Sequence, residues 1–302
     1  MKTFWKKLAE VILGGSLKAI LQILHYVPLR VLQLTGRQLG KLFFLLDTRM
    51  KRATLVNLKL CFPEKAETEI LALALRSLQS TGQVVTEAGL MLGKRNKTTD
   101  DCIKSVEGDN LLCGSGETGI LLLVPHFGNW ELINYYVSSR YSLVALYDPP
   151  KLKSLDSTLL KLRKKSGGVL VPTNATGLRR VYKALKEGEI VGLLPDQVPG
   201  RAAGEYVPFF GVPALTMTLA SRLIRQTGAR VVFGYALRLP NHEGFKIVFS
   251  AAANTFHGAD DVECLSVINH HIEKIVSLQI DQYQWEYKRF KRASKSTIDR
   301  YR

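Results

Sequence analysis

Short apolar runs alternating with helical stretches from about residue 103 onward predict an α/β fold, a three-layer sheet core behind an N-terminal helical region. The runs at 119–124, 142–147, 168–171 and 189–194 read as strands, with helices at 130–138, 155–165 and 178–186 between them. The second observation is the front of the chain, where residues 4–60 carry apolar positions at near-helical spacing, broken only at Gly14-Gly15 and Pro28. Pro63 closes that region, and 64–92 reads as a further helix. Beyond 194, strands are expected at 230–237 and 246–251 around a Pro240-Asn241 turn, and helices at 214–226 and 260–279. This divides the chain into a helical region at 1–102, an α/β domain at 103–292 and a basic tail at 293–302. No internal repeat or low-complexity segment interrupts it.

Composition narrows the function classes. Apolar residues make up 46% of 302 and charged residues 23%, which suits a packed core and excludes disorder. Lys and Arg outnumber Asp and Glu by 42 to 26, a formal charge of +16, so polyanions are the natural partners: nucleic acid, anionic lipid or an acidic protein. No nucleic-acid-binding motif accompanies the charge, so a nucleic-acid role is not expected. Cys61, Cys102, Cys113 and Cys264 are scattered without ligand spacing, which predicts reduced thiols and no metal site. Near the N-terminus, Lys2, Lys6 and Lys7 precede a stretch, 8–34, interrupted by Glu10, Lys18, Gln22, His25 and Arg30. It lacks about 20 unbroken apolar residues and a signal-peptide cleavage site, and reads either as a membrane-interface helix or as a helix packed on the protein's own core.

The chemistry centres on LLLVPHFGNWELINYY, from Leu121 to Tyr136. Mid-helix, His126 and Glu131 would point ~140° apart and never meet. With His126 in the turn after a strand, the chain can fold the ring toward Glu131 in the first helical turn, and Gly128 supplies the freedom for it. A carboxylate that orients an imidazole leaves the other ring nitrogen free to take a proton from a hydroxyl. No GxSxG elbow is present, so the nucleophile is expected to be the substrate's own alcohol. The alternative is a structural histidine beside a turn. Asp196 and Gln197 follow an apolar strand, where α/β folds build their sites, though an Asx turn is the plainer reading. Phe209-Phe210-Gly211 reads as either the lining of an apolar channel or a core plug, and the Gly200–Gly204 loop as a cover over the site.

HFGNWE resembles the H-x4-D/E motif of lysophospholipid and lipid A acyltransferases, and specifically the lipid A biosynthesis lauroyl/myristoyl acyltransferase family. NLKLCFPEK (Asn57 to Lys65), LLPDQVPG with YVPFFGVPALTMT (Leu193 to Thr218) and QYQWEYKRFKR (Gln282 to Arg292) are similar to that family's other blocks, in the same order. The resemblance implies a glycerolipid-acyltransferase-like core, an N-terminal membrane anchor and a place on the cytoplasmic face of a bacterial inner membrane. It implies an acyltransferase without a cofactor, taking acyl chains from acyl carrier protein or coenzyme A to a lipid A precursor. His126 would be the general base, Glu131 its orienting partner, and Asn129, Asp196 and Gln197 would contact substrate. One departure is Tyr147-Asp148-Pro149, where the family often has Tyr-Arg-Pro; Lys151, Lys153 or Arg163 is expected to supply that charge. The departure keeps open another acceptor (a lysophospholipid, an aminolipid or a phosphatidylinositol mannoside), and the charge keeps open a non-catalytic membrane-surface binder. The basic cluster at 288–292, beside Trp285, Tyr287 and Phe290, reads as an interface anchor or as a helix end whose basic side chains cover the core.

Overall fold

The computed structural model describes residues 19–91, 97–113, 118–147, 167–252, 256, 260–292 and 300–301. Arg163, Lys151, Lys153, the expected helix at 155–165, the first 18 residues and nearly all of the tail at 293–302 lie outside the described residues.

The strands are β1 (Ile103–Glu107), β2 (Ile120–Leu123), β3 (Leu143–Tyr147), β4 (Val169–Pro172), β5 (Ile190–Leu193), β6 (Gly204–Phe209), β7 (Val212–Met217), β8 (Arg230–Arg238) and β9 (Phe245–Ala251). All but β6 and β7 join one seven-stranded sheet, the middle layer, in the order β1-β9-β8-β2-β5-β3-β4. Its pairings are parallel except β8 with β9, which fold back on each other through the Pro240 turn. Every residue of β2 and β5 is buried, so these strands read as unbroken apolar runs. Alternate side chains serve opposite faces. Leu121, Leu123, Val191 and Phe233 join one core; Ile120, Leu122, Ile190 and Val232 join the other.

Helices cover both faces, among them α1 (Leu29–Leu45), α2 (Arg49–Cys61), α3 (Glu67–Met91), α4 (Trp130–Ser138), α5 (Ala175–Lys186), α6 (Leu219–Thr227) and α7 (Asp261–Leu278). Residues of α5, α6 and α7 close the first core, and residues of α1, α3 and α4 contribute to the second. Side-chain caps set several starts: Thr48 accepts from Lys51 N, Asn174 from Gly177 N and Asp260 from Glu263 N. α6 ends on Gly228 in the left-handed region.

The helical region expected over 4–60 breaks at Pro28, as read from the sequence, and also at Leu46, whose extended backbone turns the chain before Thr48 caps α2. The helix expected at 214–226 is also corrected. Residues Val212–Met217 form β7, antiparallel to β6, and the helix begins only at Leu219. The cause is the turn: Phe210 and Gly211 have φ of 48° and 73°, the two-residue geometry that reverses a strand directly. A short apolar run has no periodicity that separates strand from helix. Phe209 and Phe210 pack against each other, and Phe210 packs against Phe62 and Trp285, so the aromatic pair plugs the core. Trp285, Phe290 and Arg289 are buried as well, which removes the interface-anchor reading of 288–292. Trp285 donates to Ile280 O at 2.8 Å, and Arg289 to Leu215 O and Thr216 Oγ1, each at 2.7 Å.

α1 and α3 cross on glycine. A β-carbon on Gly40 would sit 2.1 Å from Leu78 O, and one on Gly82 2.1 Å from Gly36 O. Gly40→Val is therefore expected to push the helices apart and cost about 1–3 kcal/mol as overpacking. Thermal unfolding should give a clearly lower Tm; an unchanged Tm would contradict this crossing.

Candidate active site

Strands β2 and β5 lie side by side, in parallel and in register, with Leu123 opposite Leu193. His126 and Asp196 are each three residues beyond that last pair, so the register delivers them to the same point past the sheet's C-terminal edge. Asp196 Oδ1 lies 2.7 Å from His126 Nδ1, and Oδ2 accepts from the His126 backbone N–H at 2.8 Å. One carboxylate thus holds both the ring and the backbone of the same residue. His126 Nε2 faces the side-chain amide of Gln197 at 3.3 Å, and the ring is flanked by Trp130 at 5.0 Å between centroids. The histidine is 9% exposed.

The turn carrying His126 is tied down by three backbone hydrogen bonds, two to the 282–284 segment and one to Ala236. Gln284 N donates to His126 O at 3.0 Å, Gly128 N to Gln282 O at 2.9 Å and Asn129 N to Ala236 O at 3.0 Å. Gly128 has φ of 58°, and a β-carbon there would lie 1.9 Å from Ala236 O, so conformation and space both require glycine. Asn129 then caps α4, accepting from Leu132 N at 3.3 Å. The C-terminal block is in turn held by Asn57, which donates to Trp285 O at 2.6 Å and Tyr287 O at 2.8 Å. Tyr287 Oη accepts from Val198 N at 2.8 Å, just past Gln197.

Two expectations change. The orienting hydrogen bond on His126 runs to Asp196 rather than Glu131, because strand adjacency brings the distant carboxylate to Nδ1. Glu131 reaches the ring through its charge. Asn129 was expected at the substrate, yet it is 1% exposed and both ends of its amide are engaged, Nδ2 with Glu87 at 2.9 Å. It holds the turn from inside. Glu87 and Arg238, which complete that contact, were not singled out from sequence. The only trace is an acidic residue in the apolar second half of α3 and an arginine closing an apolar strand.

Burial of the His126 ring disfavours its charge, but the Asp196 carboxylate and its hydrogen bond, then Glu286 and Glu131, outweigh this and hold the imidazole above its ordinary range. Asp196 is likewise pushed up by burial, yet the His126 charge, the hydrogen bonds from its ring and backbone, and Arg289 hold it below the usual carboxylate range. Glu286 is raised by burial, and its Oε2 has no hydrogen-bond partner among the described residues. Trp130, which flanks the ring, borders an apolar cavity of about 100 Å³ between α4 and the sheet. Trp130 and Glu131 line it on the helix side, and Leu143, Ala145 and Gly192 on the sheet side. Among the described residues no His/Cys/Asp/Glu group has metal-holding geometry.

A base needs its ring neutral, so a raised imidazole places the acid limb of the rate profile above that of free histidine. Asp196→Asn removes the chief upward influence and leaves burial, so that limb should move to lower pH while the plateau falls roughly 10²–10⁴-fold. The pH dependence of kcat/KM reads both; a limb that stays in place would contradict the pairing.

Comparison with known proteins covers nearly the whole chain. The chain matches the family described as "Bacterial lipid A biosynthesis acyltransferase" over residues 9–292. It is 27% identical to "Lipid A biosynthesis acyltransferase" of Haemophilus influenzae, over 90% of this chain and 88% of that protein. It is 26% identical to "Lipid A biosynthesis lauroyltransferase" of Escherichia coli over 93% and 92%, and 24% identical to the "Lipid A biosynthesis myristoyltransferase" of that species over 88% and 82%.

Proposed function

Since the chain belongs to the bacterial lipid A biosynthesis acyltransferase family and is an acyltransferase, we propose that His126 is the general base moving a fatty acyl group from a thioester to a hydroxyl of a lipid A precursor. The observation that carries the mechanism is the buried His126–Asp196 pair, whose ring is flanked by Trp130, a residue that with Glu131 lines an apolar cavity.

The hydroxyl of the acceptor gives its proton to His126 Nε2 as its oxygen attacks the thioester carbonyl and a C–O bond forms. Asp196, and Glu131 from the cavity side, stabilise the imidazolium that results. Collapse of the tetrahedral intermediate breaks the C–S bond, and the departing thiolate takes the proton back from the imidazolium. The products are an ester and a free thiol. The Gln197 amide meets Nε2 at 3.3 Å, which fits direct attack by the acceptor without a protein nucleophile. The cavity lined by Leu143, Ala145 and Gly192 suits the donor's acyl chain, and no cofactor enters the reaction. The donor is an acyl carrier protein or coenzyme A thioester; the +16 charge favours either polyanion.

The setting is a membrane surface, the cytoplasmic face of a bacterial inner membrane. Ile20, Ile23, Tyr26, Leu34, Leu42, Leu45 and Leu46 are all exposed in and around α1, Tyr26 to 85%. Among the described residues no helix is long and apolar enough to cross a membrane, so this face suits lying in the headgroup region, with Arg30, Arg37 and Lys41 toward anionic lipid.

Two outcomes are expected. Membranes carrying His126→Ala should transfer labelled lauroyl groups from acyl carrier protein or coenzyme A roughly 10²–10⁴-fold more slowly than wild type; full activity would sink the mechanism. Mass spectrometry of lipids from a deletion strain should show lipid A short of one acyl chain, whereas a loss confined to phospholipids or aminolipids would assign a different acceptor.

A further inference from the structure

Glu87 takes no part in the chemistry above, yet it is completely buried in α3 and accepts four hydrogen bonds. Oε1 accepts from Gln33 Nε2 at 2.9 Å and Arg238 Nε at 2.8 Å; Oε2 accepts from Arg238 Nη2 at 2.7 Å and Asn129 Nδ2 at 2.9 Å. All the accepting capacity of a carboxylate is used, so Glu87 has none left for proton chemistry. Arg238 completes the cluster by donating to Ser80 Oγ at 3.0 Å, and His242 Nδ1 meets Gln33 Oε1 at 2.9 Å.

Stability alone gives little reason for such a pair. Apolar residues of similar volume often replace a buried ion pair without loss, whereas removing one partner strands the other charge. What this pair does hold is Asn129, three residues after His126 and two before Glu131. The amide is gripped at Nδ2 by Glu87 while Oδ1 caps α4, so the orientation of both the turn and the helix depends on it. We infer that Glu87 and Arg238 are positioning residues, a buried clamp that acts through Asn129 to hold the turn that carries His126 and the first turn of α4 that carries Glu131. This rests on the acyl-transfer reading.

Two variants test it in the full-length protein in membranes, with labelled lauroyl-acyl carrier protein and a lipid A precursor as probes. Asn129→Ser keeps an oxygen that can cap α4 but lacks the amide N–H that reaches Glu87. Glu87→Leu combined with Arg238→Met exchanges the ion pair for apolar volume. In both, kcat per folded molecule should fall roughly 10²-fold, as expected for a displaced catalytic group, with the KM for the donor unchanged and the acid limb of the pH profile still held up by Asp196, above its place in Asp196→Asn. The double variant should unfold at a higher temperature than Glu87→Leu alone, which strands the Arg238 charge. If the double variant does not fold, Asn129→Ser decides by itself. Wild-type kcat per folded molecule in Asn129→Ser or in a folded double variant overturns the inference, as does a loss confined to KM. Wild type and His126→Ala run alongside: an inactive wild type, or a fully active His126→Ala, condemns the acyl-transfer reading, and an active, His126-dependent wild type with unaffected clamp variants condemns only the clamp.

Discussion

The in-register pairing of β2 with β5 is the constraint on which the rest of this structure depends. Parallel strands end at the same edge, so residues equally far past a shared pair arrive together. His126 and Asp196, 70 positions apart in the chain, meet at 2.7 Å for that reason. The carboxylate also accepts from the His126 backbone N–H, so the contact that orients the ring also fixes the point where the chain leaves the strand. Moving either strand by one residue would point the next side chain to the opposite face and dismantle the pair.

Around that contact the fold does two further things. The first is support from behind the ring: the turn 126–129 is bonded to the 282–284 segment and to Ala236, and the 282–284 segment continues into the block held by Asn57. Blocks far apart in sequence thus converge on one turn. The second is the division of surfaces. Trp285, Phe290 and Arg289, which look amphipathic and membrane-seeking in sequence, are consumed by the core, while most of the large apolar side chains exposed among the described residues lie between Ile20 and Leu46. Burying the aromatics of the C-terminal block stiffens the support of the site, and the N-terminal helices keep an outward apolar face.

Much of this was legible residue by residue. The helix at 130–138 is found with those bounds, because its apolar positions have helical spacing and Asn129 stands ready to cap it. The strands leading to His126 and Asp196 were legible as short apolar runs before a polar turn. The β6–β7 hairpin was not, since its reversal rests on a left-handed phenylalanine, Phe210, that no propensity favours. Nor was the identity of the orienting carboxylate: Glu131, the near one in sequence, was expected, and Asp196, the near one in space, holds the ring.

From the sequence by itself came the α/β class, the basic surface, the histidine at a strand-to-helix turn and the family to which its motifs point. These rest on local periodicity, composition and short spacing, all of which are written along the chain. Only the tertiary structure decided which carboxylate meets the ring, that Asn129 faces inward, and that Glu87 and Arg238 form a buried pair behind the turn. Each of those depends on which strands are neighbours and on which helix covers which face, and hydrogen bonds across such separations leave no local pattern to read.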